Sequence, residues 1–195
     1  MKILKLQKTF IIRKALALVG ILAFLFSAEN AVAQDSLWMK VSVAQQKLFL
    51  MNHADTLRSY DISTSKYGLG SESGSHKTPL GMHRVVEKYG DGAPEGTIFK
   101  SRINTRRIAE IEIRPQSTKL DYVTTRILWL DGLEPGKNKG GNLDSYHRYI
   151  YIHGTHEEGL IGQPASKGCI RMRNKEVIEL YDLVPIGTTI RIDRE

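Results

Sequence analysis

A mainly-β domain with a single late α-helix is the fold class the sequence predicts, and three observations predict it. Short runs in which apolar and polar residues alternate recur along the chain, each about the length of a strand. Clusters rich in Gly, Asn, Asp and Ser separate them, as turns do. Only residues 174–184 carry a helical stripe, formed by Val177, Ile178, Leu180, Tyr181 and Val184. No internal repeat or linker divides residues 36–195, so these elements belong to one domain.

Each element follows from its residues. Leu37, Met39, Val41 and Val43 alternate as a half-buried strand does. Residues 47–51 form a second apolar run, closed by the turn former Asn52-His53-Ala54-Asp55, and residues 56–64 follow at hairpin distance. Residues 66–79 are a long Gly/Ser loop of the kind that often lines a site. Further strand-like runs cover 82–89, 97–103, 122–130 and 148–153, whereas residues 104–121 have no assignable pattern. Asn174 reads as an N-cap, Glu176 suits the first turn of the helix, Pro185 ends it, and residues 188–192 make a last strand. Thr78-Pro79-Leu80-Gly81 reads as a turn, Tyr149 and Tyr151 as strand packing, and His53, His76, His83 and His147 as loop or surface residues.

The first thirty-three residues stand apart. Lys2, Lys5, Lys8, Arg13 and Lys14 precede a twelve-residue apolar run at 15–26, and Ala31-Val32-Ala33 supplies small residues at a cleavage site. That layout predicts a secretory leader at 1–33 removed after Ala33, followed by a mature domain at 34–195 in the periplasm or cell envelope. The run falls short of the roughly 20 apolar residues of a membrane span. The leader holds five of the 28 basic residues and one of the 21 acidic ones, so the formal charge of +7 falls to +3 in the mature chain. So mild a charge predicts no specific polyanion, and nucleic acid is not an expected partner. With 41% hydrophobic and 25% charged residues, the composition also excludes wholesale disorder.

Cys169 is the single cysteine, so an exported chain has no internal disulfide to form with it. Its surroundings suggest chemistry. Residues 149–152 form an apolar-aromatic strand that delivers His153, with Gly154 and Thr155 after it, and Ser166-Lys167-Gly168-Cys169-Ile170-Arg171 follows shortly. A thiol attacks as thiolate, which a neighbouring imidazole generates by taking the proton and later returns to a leaving amine. The backbone N–H groups of Gly168 and Cys169 are candidate oxyanion donors. His153, His156 and Cys169 are chemically suited to zinc, but no fourth ligand is evident, and the pattern calls for no metal and no cofactor.

His153-Gly154-Thr155 followed by Ser166-x-Gly-Cys-Ile-Arg171-Met172 resembles the signature of L,D-transpeptidases, the YkuD-type peptidoglycan cross-linking domain. Residues 41–64 resemble that family's first hairpin and residues 78–81 its Thr-Pro-x-Gly segment, so the similarity spans roughly 38–193. The resemblance implies a curved β-sandwich of mixed sheets with the site in a groove between them. It also implies a cysteine acyl-transferase that removes the terminal D-residue from a tetrapeptide stem and passes the acyl group to an amine or to water. Cys169 would be nucleophile and His153 general base and acid, with the Gly154 carbonyl orienting the imidazole. Arg171, Ser166, Lys167 and Thr155 are candidate substrate contacts, Arg171 for a carboxylate. The family commonly has histidine where this chain has Lys167, which would favour thiolate or meet a stem carboxylate. The implied partners are peptidoglycan stem peptides and an amine acceptor: a second stem, a D-amino acid or a protein lysine. An L,D-carboxypeptidase or another cysteine peptidoglycan hydrolase would share the first half-reaction, and a wall-binding module would need no Cys/His pair.

Overall fold

The computed structural model describes residues 37–195, and the secretory leader read at 1–33 lies outside them. Ten strands dominate: β1 (Leu37–Ser42), β2 (Lys47–Asn52), β3 (Asp55–Asp61), β4 (Gly81–Tyr89), β5 (Thr97–Lys100), β6 (Ile103–Ile108), β7 (Val123–Gly132), β8 (Tyr151–Thr155), β9 (Ile170–Met172) and β10 (Thr189–Asp193). One helix, α1 (Asn174–Leu183), lies between β9 and β10. Alternation sets the core: Met39 and Val41 of β1 and Ile190 and Ile192 of β10 are fully buried, while Arg191 between the latter two faces solvent.

The strands form one connected mixed network in the order β3-β2-β1-β10-β4-β7-β5-β6, with β8 on β7 and β9 on β8. The pairs β1·β10 and β8·β9 are parallel, and the pairs along β7 are antiparallel. β7 is the hub, bonded to β4, β5 and β8, and its apolar run of Ile127, Leu128, Trp129 and Leu130 is buried on both faces. A bulge between Thr124 and Ile127 lets β7 change partners, with Thr125 in the left-handed region at φ 66°.

The fold refines several expectations from the sequence. The run at 97–103 divides into two strands, because Ser101 (φ 48°) and Arg102 (φ 67°) make a tight turn and residues 103–108 return beside β5. The strand expected at 148–153 begins only at Tyr151, since Tyr149 sits at φ 57° inside a turn closed by its N–H to the Tyr146 carbonyl. Asn174 is not the N-cap but the first helical residue, and its N–H is capped by Glu158 Oε1 at 2.7 Å, a carboxylate brought from outside the helix. His83 is a core residue rather than a surface one: fully buried on β4, it bonds the Gly81 carbonyl at 3.0 Å and Ser145 Oγ at 2.9 Å, and burial pulls its pKa down to about 4. Among the described residues, no helix is long and apolar enough to cross a membrane.

Candidate active site

The parallel pair β8·β9 builds the site. Its register sets Ile152 opposite Ile170 and His153 opposite Arg171, and Cys169 immediately precedes β9. Side chains alternate along each strand, so Tyr151, His153 and Arg171 share one face. Cys169 Sγ accepts the Tyr151 N–H at 3.4 Å and lies 3.4 Å from the Tyr149 carbonyl, toward which the thiol donates.

His153 is 2% exposed, and its Nδ1 lies 2.7 Å from the Gly154 carbonyl. That contact fixes the tautomer with Nδ1 protonated, leaving Nε2 as the basic nitrogen. Gly154 is required by close approach: a Cβ there would stand 2.6 Å from Asn174 Oδ1 and 2.9 Å from the Thr124 carbonyl. Asn174 gathers the surrounding backbone. Its Oδ1 accepts the Thr124 and Thr125 hydroxyls, and its Nδ2 donates to the Thr155 carbonyl at 2.8 Å and to Glu158 at 2.7 Å.

Charge is arranged around the pair. Arg171 is 3% exposed, donating to Glu157 at 2.8 Å and to Asp121. Burial would raise the Asp121 carboxyl, but the Arg171 charge helps hold it below the ordinary value, and Lys167 Nζ stands 3.6 Å away on its other side. Burial lowers the His153 pKa to about 4, the Gly154 carbonyl partly offsetting it, and burial pushes the Cys169 thiol up to about 11 with Asp121 adding to the rise. Burial thus disfavours the charged form of each group, the imidazolium and the thiolate.

The residues expected to meet substrate are placed differently from one another. Arg171, Ser166 and Thr155 are buried and hydrogen-bonded inside the protein. Ser166 Oγ donates to the Cys169 carbonyl at 2.6 Å and accepts the Gly168 N–H at 3.2 Å, and Thr155 Oγ1 accepts the Glu157 N–H at 3.1 Å. The Gly168 donor expected for an oxyanion is thus already engaged. Gly168 sits at φ 121°, a conformation that favours glycine, and this shapes the turn before Cys169. Lys167 alone of the four is half-exposed.

Other contributors lie outside the candidate site residues. Thr78, expected as a turn residue, is fully buried and donates to the Gly168 carbonyl at 3.0 Å, tying the Gly/Ser loop to the Cys169 turn. Arg148 holds the same loop through the Lys77 carbonyl at 2.7 Å. On the opposite flank Cys169 packs against an aromatic cluster of Phe99, Trp129 and Tyr151, extended by Tyr89 and Tyr146. His156 bonds Thr118 Oγ1 at 2.9 Å and packs on Tyr122, and among the described residues no group of three potential ligands is placed to hold a metal. A cavity of about 630 Å³ lined by Ile108, Ile111, Leu120, Tyr122 and His156 includes neither Cys169 nor His153 in its wall.

Residues 36–192 match the YkuD family, described as the L,D-transpeptidase catalytic domain. Over 63 residues the chain is 46% identical to YkuD of Bacillus subtilis, itself only provisionally named an L,D-transpeptidase; the match covers 30% of this chain and 38% of that protein. ErfK/SrfK of Escherichia coli, named with the same reserve, is 47% identical over 45 residues, which are 23% of this chain and 14% of its own length. The solved structure of Bdellovibrio bacteriovorus Bd1075 superposes with a TM-score of 0.51 at 16% identity, covering 82% of this chain and 48% of that one, and so agrees in fold. The chain therefore spans well under two thirds of each of these relatives.

Proposed function

Because the chain belongs to the L,D-transpeptidase catalytic-domain family, we propose that it is a cysteine acyl-transferase of peptidoglycan stem peptides, with Cys169 as nucleophile and His153 as base. The observation that supports this reading is the β8·β9 pair: Cys169 Sγ meets the N–H of Tyr151, two residues before His153 on β8, and His153 Nδ1 is bound to the Gly154 carbonyl. His153 Nε2 takes the thiol proton as Sγ adds to the carbonyl of the L-centre of a tetrapeptide stem. The tetrahedral intermediate collapses, the bond to the terminal D-residue breaks, and the imidazolium returns the proton to that amine. An amine acceptor, deprotonated by the same imidazole, then attacks the thioester and releases the thiol.

With the thiol at about 11 and the imidazole at about 4, proton transfer is coupled to attack rather than completed beforehand. The Cys169 N–H is the oxyanion donor that needs no loss of the Ser166–Gly168 contact. The leader at 1–33 would deliver the domain to the periplasm or cell envelope, where its substrate lies.

Mass spectrometry of the protein mixed with tetrapeptide muropeptides tests this, with Cys169→Ala as control. A covalent adduct, absent in the variant, together with cross-linked dimer or D-amino-acid exchange, is the expected result. Tripeptide as sole product would make the enzyme an L,D-carboxypeptidase. No adduct from a folded, reduced protein would overturn the acyl-enzyme.

A further inference from the structure

The modest charge of the mature chain is not spread evenly. Residues 34–195 hold 23 basic and 20 acidic residues, a net of +3. Residues 97–122 hold six of those bases and three of the acids, also a net of +3, so the rest of the mature chain sums to zero. Residues 97–109, the β5–β6 hairpin and its exit, contain four bases and no acid. Arg102 is turned in on Trp129 and the Tyr151 hydroxyl, which leaves Lys100, Arg106 and Arg107 exposed. Among the described residues none of these three has a carboxylate within 4.0 Å.

The same segment gathers exposed apolar side chains. Ile113 at 77% and Ile103 at 71% are the most exposed of the large hydrophobic residues described, and Ile108 and Leu120 are more than half exposed. Ile108, Ile111, Ile113 and Leu120 share the wall of the 630 Å³ cavity with Arg107 and Arg114. Of the two carboxylates in that wall, Glu110 and Glu112, the second is engaged by Arg114 and Gln116.

The sheet edge disfavours another strand as partner. β6 ends the strand order, but Arg106 leaves the extended conformation there at φ 60°, and its two adjacent arginines repel the same edge of a second copy. A soluble polyanion would meet the charges and leave the isoleucines in water. Cations beside exposed isoleucines suit a surface that is anionic outside and apolar beneath, where the charges stay with headgroups and the apolar side chains leave water. We propose that residues 97–122 form a docking surface for an anionic phospholipid bilayer. Lys100, Arg106 and Arg107 meet the headgroups, and Ile103, Ile108 and Ile113 enter the interface.

Co-sedimentation with vesicles tests this. Residues 34–195 are used, because they hold every described strand and the helix and lack the leader, whose apolar run would bind lipid by itself; circular dichroism checks that each variant is folded. Wild type should bind vesicles of equal parts phosphatidylglycerol and phosphatidylcholine, and binding should fall steeply toward about 1 M salt. Arg106→Gln with Arg107→Gln should weaken binding about 25-fold, about fivefold for each charge. Ile113→Ser, which alters no charge, should weaken it about fivefold or more. Lys175→Gln with Arg194→Gln removes two exposed charges from elsewhere on the domain and should stay within about twofold of wild type. No binding by folded wild type, equal binding to phosphatidylcholine alone, or equal weakening by the two double variants would overturn the proposal. Undiminished binding by Ile113→Ser would also overturn it and would assign the basic patch to a soluble polyanion.

Discussion

Of the arginines around the Cys169 turn and its aromatic flank, Arg171 and Arg102 are held in opposite ways. Arg171 is buried between Glu157 and Asp121, on the flank where Asn174, Thr124, Thr155 and Glu158 exchange hydrogen bonds in the interior. Arg102 rests on Trp129 and Tyr149 at the rim of an aromatic flank. The buried flank fixes His153 and the strand that carries it, with its polar groups satisfied internally. The aromatic flank leaves a charge whose donors are only partly used. Groups in the interior are therefore saturated by protein partners, whereas a rim cation is positioned by ring faces, which hold it without a carboxylate partner.

Breaking the buried flank should have the largest effect. Arg171→Met leaves Glu157, 2% exposed, without its cation, and should cost about 3–5 kcal/mol in urea unfolding. Arg102→Gln should cost less than about 1 kcal/mol, the value of one rim cation–π contact. Equal costs would erase the contrast between the two arginines. Next in size, Asn174→Ala strands the Thr155 carbonyl and should lower stability by about 2–3 kcal/mol.

Acid probes the same interior. His83 and His153 have folded pKa values of about 4, below the ordinary histidine value, so the unfolded chain takes up protons first as pH falls. Their contribution is complete above about pH 6.5 and is lost toward pH 4, at about 2 kcal/mol per histidine between pH 7 and 5. His83→Asn should flatten that part of the pH–stability curve, and an unchanged curve would place the proton uptake elsewhere. The smallest effect sharpens the site's electrostatics. Iodoacetamide should alkylate Cys169 ever faster up to about pH 11, without a plateau near neutrality. Asp121→Asn removes a charge that raises the thiol, and should speed alkylation at pH 8 about threefold to tenfold.

Much of the fold is legible in the order of the residues. Alternation locates β1, β2, β4 and β10, and the stripe from Val177 to Val184 locates α1. His153 and Cys169 carry a motif, whereas Asp121, Glu157, Arg148 and Arg102 come from segments without pattern or from turns, and nothing local marks them. Asn174 resembles a cap because its type suits capping; its partners are 50, 49 and 19 residues away. Residues 104–121 resist assignment because β6 is largely exposed and lacks the alternation that burial imposes.

By itself the sequence determined the class of fold and the late helix and pointed to His153 and Cys169, since periodicity and short motifs record contacts between near neighbours. Tertiary structure alone decided which cations pair with buried carboxylates, and that burial pulls the imidazole down and pushes the thiol up. Burial and charge pairing depend on chain segments that meet only when β7 collects β4, β5 and β8 around it, so no local pattern contains them.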